Sequence, residues 1–248
     1  MNCLVDNPAW SSRVLAQIYE QLEDRVGDVP PQWLPRLDDV RAHGKGLSVQ
    51  AHEYGCGAYG CVYPTLDPQV VLKITADDTE AQFAAQIAPD LARPICVHYH
   101  RVLEPHGAVD QRGAQVYLLW RESAERVGEV GEVLGRRAKA LIDAQHVAAT
   151  SAYSAVQAIE RGAGKVRQTE RQAVRAAIHR WIATCEAMAR QVEIPELRPL
   201  GVGFVEVYET QHVLFGDVHA GNLGLVRRPD GERWVITDPG HIAVVDLD

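Results

Sequence analysis

The sequence lacks the features that mark several classes of protein. It has no apolar run of about 18 residues, so a membrane span is not expected. Residues 1–6 carry neither the basic nor the apolar block of a signal peptide. Five cysteines, an odd number at irregular spacing, favour reduced thiols in a cytosol over a disulfide framework. A net charge of −8 argues against nonspecific nucleic-acid binding. From these absences we expect a cytoplasmic protein.

The remaining composition is typical of a compact enzyme. The hydrophobic share is 46%, and 248 residues can bury a sizeable core in one large domain or two lobes. Neither an internal repeat nor a low-complexity segment is visible. The pattern predicts an N-terminal helix and linker over 1–45, a β-rich lobe over 46–122 and a helical lobe over 123–248. The helix of the first segment is predicted at 10–27.

Three polar residues in the last third of the chain carry the most information. Residues 215–222 read Phe-Gly-Asp-Val-His-Ala-Gly-Asn, and residues 237–240 read Thr-Asp-Pro-Gly. Phosphoryl transfer needs one carboxylate to orient the attacking hydroxyl, and an amide and a second carboxylate to hold Mg²⁺ against the phosphates. Asp217, Asn222 and Asp238 supply these groups in that order.

A predicted hairpin explains how the two metal-binding residues could meet. Residues 223–226 and 232–236 read as short strands around a Pro-Asp-Gly turn. Asn222 and Asp238 each lie eight residues from Asp230. A hairpin centred on Asp230 therefore places them side by side.

A glycine-rich segment near the front of the chain completes the pattern. Residues 55–62 match GxGxxGxV, and Lys73 follows Val62 by eleven residues. Dinucleotide-binding folds use a similar glycine spacing, but there the loop opens a helix. Here residues 61–63 and 70–74 are β-rich runs on either side of a turn. The loop therefore lies in a β-hairpin, where glycines let the backbone approach phosphate oxygens closely.

With both motifs in this order, the chain resembles the protein kinase-like superfamily from Gly55 to Asp238. The resemblance implies a minimal two-lobe α+β fold with a β-rich N-lobe and a helical C-lobe. Because ten residues follow Asp238, an activation segment and later C-lobe helices are not expected. It also implies ATP and Mg²⁺ as cofactors.

The resemblance assigns roles residue by residue. Lys73 would hold the α- and β-phosphates, Asp217 would be the catalytic aspartate, and Asn222 and Asp238 would bind the metal. Glu80, in a predicted helix over 79–87, is the candidate partner of Lys73. The nucleotide would also contact the glycine loop and a hinge whose backbone binds adenine, at Gly55, Gly57, Ala58, Tyr59, Gly60, Val62, Trp120 and Glu122.

Departures from the protein-kinase pattern leave the acceptor open. Phe215 and Gly216 stand where His-Arg normally precedes the catalytic aspartate, and Pro239 replaces the DFG phenylalanine. His219 makes the loop similar to the DxHxxN pattern of aminoglycoside, choline and ABC1-like kinases, where it either takes part in catalysis or shapes the loop. The acceptor is then a protein Ser/Thr or a small-molecule hydroxyl. AMP transfer and a nucleotide-binding pseudokinase with a regulatory role are the alternatives.

The other elements are predicted from periodicity. Strands are expected over 95–103 and 114–120, and helices over much of 123–200. Two apolar stripes define the helices, the second ended by Pro195. The first stripe consists of Leu134, Ala138, Leu141, Ile142 and Val147, and the second of Val174, Ile178, Trp181, Ile182, Cys185, Met188 and Val192.

Overall fold

The chain folds as a mixture of helices and antiparallel sheets. The computed structural model describes residues 29–34, 60–86, 95–110, 113–125, 134–161, 168–240 and 242–245. Its described residues belong to two compact units, the first with residues 29–86 and 98–123, the second with 95–97 and 124–245. The predicted helix over 10–27 lies outside the described residues.

The first unit contains a four-stranded antiparallel sheet. Its strands are β1 (Gly60–Pro64), β2 (Val70–Thr75), β3 (Tyr99–Leu103) and β4 (Tyr117–Glu122), in the order β1-β2-β4-β3. The predicted β1–β2 hairpin is confirmed. The strand expected over 95–103 begins only at Tyr99, and the one expected over 114–120 is shifted to Tyr117–Glu122.

The two faces of this sheet bury different kinds of side chain. Because successive residues point to opposite faces, Leu72 and Trp120 lie on one face, and Lys73 and Arg121 on the other. The first face packs into an apolar core with partners such as Tyr63. The second face therefore carries the buried charged residues.

Helix α1 (Asp78–Gln86) follows β2 closely and contacts β3 and β4. It begins one residue before the predicted start. The Asp77 side chain caps it, since its Oδ1 accepts hydrogen bonds from the backbone N–H groups of Thr79 (3.0 Å) and Glu80 (3.2 Å). Capping so soon after β2 fixes Glu80 in the first turn of the helix.

Three helices form the body of the second unit: α2 (Gly135–Glu160), α3 (Gln168–Ala189) and α4 (Arg198–Gln211). Helix α3 packs against both α2 and α4. Of the predicted stripes, Val147 is 68% exposed and Val192 is 85% exposed, so neither belongs to a buried face. Val192 is exposed because α3 ends at Ala189, before Pro195. The buried face of α2 instead continues through Gln145, Ala149, Ala152 and Val156.

Helix α4 was not predicted, because glycine disfavours helix interiors. Its Gly201 packs directly on α3. A Cβ at Gly201 would lie 2.4 Å from the backbone nitrogen of Ala189 and 2.6 Å from the carbonyl oxygen of Cys185. Glycine at this position therefore lets the two helices approach more closely than any larger residue would permit.

Two small sheets complete the second unit. Strand β5 (Val213–Phe215) pairs antiparallel with β8 (Ile242–Val244), and β6 (Leu223–Arg228) pairs antiparallel with β7 (Gly231–Ile236). The predicted hairpin is β6–β7, but its register pairs Leu223 with Ile236. The turn is therefore centred between Pro229 and Asp230, and Asn222 lies opposite Thr237 rather than Asp238. The Thr237 backbone N–H donates to the Asn222 carbonyl oxygen at 2.7 Å.

The described cysteines differ in state. Cys96 and Cys185 are free and buried, and burial raises the pKa of the Cys185 thiol to about 12. Cys61 is disulfide-bonded. The expectation of reduced thiols is therefore wrong for Cys61, because an odd count rules out complete pairing but permits a single bond. In the part of the chain that the structure describes, no helix is long and apolar enough to cross a membrane.

Candidate active site

Lys73 and Glu80 form a buried ion pair in the first unit. Lys73 lies in β2 with its Nζ 2.6 Å from Glu80 Oε2, and the two side chains are 5% and 0% exposed. Only a short capped turn separates β2 from α1, so seven residues suffice to bring these side chains together. The pairing expected from the sequence is present.

Two further residues join this pair, and sequence reasoning missed both. The Tyr99 hydroxyl donates a hydrogen bond to Glu80 Oε1 at 2.9 Å. Arg121 lies opposite Tyr99 across the β3–β4 pair, and its Nη1 is 3.9 Å from the same carboxylate oxygen. No sequence motif contains them, because they reach Glu80 from strands distant in the chain. Together we call Lys73, Glu80, Tyr99 and Arg121 the Glu80 cluster.

The glycine loop is described only at its end. Gly60 and Val62 lie in β1, with Val62 opposite Lys73. A Cβ at Gly60 would come within 2.4 Å of the Ile74 carbonyl oxygen, so this position requires glycine for the strands to pair. The predicted nucleotide contacts at Gly55, Gly57, Ala58 and Tyr59 lie outside the described residues.

The residues of the predicted hinge, Trp120 and Glu122, lie in strand β4. Trp120 is fully buried on the face opposite Lys73, and its indole N–H donates to the Trp33 carbonyl oxygen at 2.8 Å. Strand β4 is flanked by β2 and β3, and the Glu122 N–H donates to the His98 carbonyl oxygen at 2.8 Å. The Glu122 N–H therefore has a partner within the unit, and the contact of this segment with adenine stays a prediction.

In the second unit, Asp217 and Asn222 face each other across a tight loop. The Asn222 Nδ2 donates to the Asp217 carbonyl oxygen at 3.0 Å and lies 3.4 Å from Asp217 Oδ2. Asp217 keeps 31% of its side chain exposed. Its carboxylate is therefore both held and accessible to an incoming group.

His219 contributes to the shape of this loop. Its Nδ1 accepts a hydrogen bond from the Gly221 N–H at 3.0 Å, and its Nε2 lies 3.7 Å from Asp217 Oδ1. A Cβ at Gly221 would approach the His219 ring to 2.9 Å. The loop-shaping role considered for His219 matches these contacts, while a part in catalysis stays a prediction.

Helix α2 supports the loop from one side. The Thr150 hydroxyl donates to the Gly216 carbonyl oxygen at 3.0 Å, and the His146 ring lies 5.5 Å from that of His219. Sequence reasoning missed both residues. Their spacing of one helical turn was visible, but nothing in the sequence indicated which element the turn faces.

The two small sheets explain why the segments that contain Asp217 and Asp238 lie together. Phe215, the last residue of β5, pairs with Ile242, the first residue of β8. Residues 216–222 then lead into β6, and residues 237–240 follow β7. Both segments therefore connect the same two sheets. The sequence predicted one sheet and missed the other, whose strands are only three residues long.

The donor groups in this loop suit Mg²⁺. Since the Asn222 amide nitrogen is turned toward Asp217, its Oδ1 is the atom left for a cation, and Asp238 is half-buried just beyond β7. Within the described ranges, no three His, Cys, Asp or Glu side chains cluster as metal ligands. One amide and one carboxylate match an ion that usually takes few protein ligands and keeps waters and phosphates.

Comparison with known proteins adds little. No family model matches the chain, and no curated protein matches it. Among solved structures, the crystal structure of the BubR1 kinase domain resembles it with a TM-score of 0.31 and 12% identity, covering 97% of this chain. The chain spans 63% of that structure's chain. So weak a likeness carries no argument about activity.

Proposed function

We propose that the protein is an ATP- and Mg²⁺-dependent phosphotransferase that transfers the γ-phosphate to a hydroxyl, with a protein Ser/Thr as the favoured acceptor. The observation that carries this proposal is the buried Lys73–Glu80 pair at 2.6 Å. A lysine inside an apolar strand, held by a glutamate from the following helix, is the device that kinase-like enzymes use to position nucleotide phosphates.

The second support is the arrangement around Asp217. Its half-exposed carboxylate would accept a hydrogen bond from the acceptor hydroxyl and orient it for attack. Asn222 and Asp238 would hold Mg²⁺, which supplies neutralisation of the charge that develops on the phosphates. Asn222 has a second task, since its amide nitrogen fixes the Asp217 main chain. The chain would thus act by positioning and electrostatics.

The first test follows label from γ-labelled ATP, with Mg²⁺, into protein and into free phosphate. Asp217→Asn and Asp238→Asn are the test variants. Asp230→Asn is the matched control, because Asp230 lies in the β6–β7 turn with a side chain 64% exposed. Transfer or phosphate release should disappear in both test variants and persist in the control.

Other outcomes would contradict the proposal in distinct ways. If wild type and variants are equally silent while ATP raises the melting temperature, the protein binds nucleotide without transferring phosphate. Label from α-labelled ATP in the product would then identify AMP transfer. Its absence would leave a nucleotide-binding regulator. Should label pass to small molecules of a lysate but never to protein, the acceptor part alone is wrong.

A further inference from the structure

The Glu80 cluster contains two buried cations. Lys73 and Arg121 both approach the Glu80 carboxylate, and the Tyr99 hydroxyl donates a hydrogen bond to it. Burial raises the cost of any polar group that lacks a hydrogen-bond partner. The hydrogen bonds that each cation makes therefore indicate what else the cluster could bind.

Arg121 is the member of the cluster that lacks hydrogen-bond partners. The residue is only 6% exposed, and its Nε and Nη1 atoms have no hydrogen-bond partner among the described residues. Its Nη1 stands 3.9 Å from Glu80 Oε1, beyond hydrogen-bond distance. The Glu80 carboxylate is already occupied, since Lys73 contacts one oxygen and the Tyr99 hydroxyl donates to the other.

The sheet register brings Arg121 and Lys73 to the same place. Lys73 pairs with Leu119 across β2 and β4, and Arg121 lies two residues further along β4. Both side chains therefore leave the same face of adjacent strands. An anion beside Glu80 could contact both cations at once.

We infer that Arg121 and Lys73 together form a two-cation site for the polyphosphate of the nucleotide, an inference that rests on the proposed function and adds a residue to it. The guanidinium group presents parallel N–H donors that match phosphate oxygens, whereas the lysine ammonium acts as a point charge. Arg121 would donate Nε–H and Nη1–H to a phosphate oxyanion. The entering anion would supply the hydrogen-bond acceptors that Arg121 Nε and Nη1 lack.

A structural role for Arg121 makes a different prediction. If Arg121 only balanced Glu80, its removal would destabilise the protein and leave affinity for anions unchanged. If Arg121 instead binds a ligand, its removal takes away buried donors that have no hydrogen-bond partner, so the ligand-free protein keeps or gains stability. Stability and affinity should therefore move independently.

The experiment measures binding of sodium tripolyphosphate to the full chain by calorimetry, beside urea unfolding without ligand. In Arg121→Met the affinity should fall by roughly 10- to 100-fold, the range that corresponds to charged hydrogen bonds, while the urea midpoint stays or rises. Tyr99→Phe is the matched control, because it loosens the same cluster without removing a cation. Its affinity should change by less than about threefold.

Three results would overturn the inference: no binding of tripolyphosphate by the wild type, unchanged affinity in Arg121→Met, or an equal loss in Tyr99→Phe. These results are separable from those of the labelling experiment. If the protein transfers phosphate but binds tripolyphosphate equally well without Arg121, only the inference of a two-cation site is wrong. If binding of tripolyphosphate depends on Arg121 but no phosphate is transferred, only the phosphotransferase proposal is wrong.

Discussion

The Glu80 cluster and the loop around Asp217 are built in opposite ways. In the cluster, the Lys73 and Glu80 side chains are 5% and 0% exposed and hold each other by direct charge contact. In the loop, the Asp217 and His219 side chains are 31% and 43% exposed and lie 3.7 Å apart. The buried cluster is held by contacts between side chains, whereas the more exposed loop is held by side chains that hydrogen-bond to its backbone.

This difference separates the effects that substitutions should have. A charge buried in a pair cannot lose its partner without a large cost, because water cannot replace the contact. A half-exposed carboxylate can lose its charge cheaply, because water solvates it in either state. Substitutions in the cluster should therefore affect stability, and substitutions in the loop should affect reactivity.

The largest stability effect is expected for Glu80→Gln. It removes the carboxylate that lies 2.6 Å from the buried Lys73 ammonium, and breaking a buried pair in this way typically costs about 3–5 kcal/mol. Urea unfolding measures the change. The matched control is Glu232→Gln, which removes an exposed partner of Arg227 and should cost less than about 1 kcal/mol. Equal midpoints for the two variants would show that the sealed pair is not needed for folding.

The converse is expected for Asp217→Asn. Transfer should fall by about 10²–10⁴-fold, the usual contribution of a group that handles a proton, while the free energy of unfolding changes by less than about 1 kcal/mol. Single-turnover kinetics and urea unfolding on the same preparation provide both values. If Asp217→Asn lost as much stability as Glu80→Gln, the two regions would not differ in how they respond to substitution.

Local patterns in the sequence predicted the parts of both regions that are close along the chain. The β1–β2 and β6–β7 hairpins follow from turn residues between β-rich runs. The Lys73–Glu80 pair follows from a strand and a helix seven residues apart. These contacts depend on neighbours in the chain, which is the information that local patterns contain.

Contacts between distant segments were not predictable in this way. Tyr99 and Arg121 reach Glu80 only because β3 lies beside β4, and Trp120 faces away from Lys73 because of the strand register. The short β5–β8 pair has too few residues to show periodicity. The offset of Asn222 from Asp238 arises because the turn contains two residues rather than three.

A third prediction concerns the scaffold below the loop. Gly201→Ala should destabilise the protein by about 1–3 kcal/mol, because the new methyl group would meet the α3 backbone at 2.4 Å and the helices must separate. Helix propensity alone predicts a gain in stability of up to about 1 kcal/mol. The sign of the measured change in the free energy of unfolding therefore decides between the two effects. The control is Val202→Ala, since Val202 is 52% exposed on the same helix. A gain in Gly201→Ala would mean that α3 and α4 are less tightly packed than described.

The smallest effect should come from the contact by which α2 holds the loop. Thr150→Val keeps the shape of the side chain but removes the hydrogen bond to the Gly216 carbonyl oxygen, at a cost of about 1 kcal/mol. Transfer should fall by roughly tenfold, because a shift of the reacting carboxylate by even part of an ångström misaligns the attack. In the control, Thr210→Val, the lost hydrogen bond is to Glu206 within helix α4, so stability alone should change. If both variants retain full activity, the loop keeps its geometry without the hydrogen bond from α2. The loop would then depend on neighbouring side chains even less than its contacts indicate, unlike the Glu80 cluster.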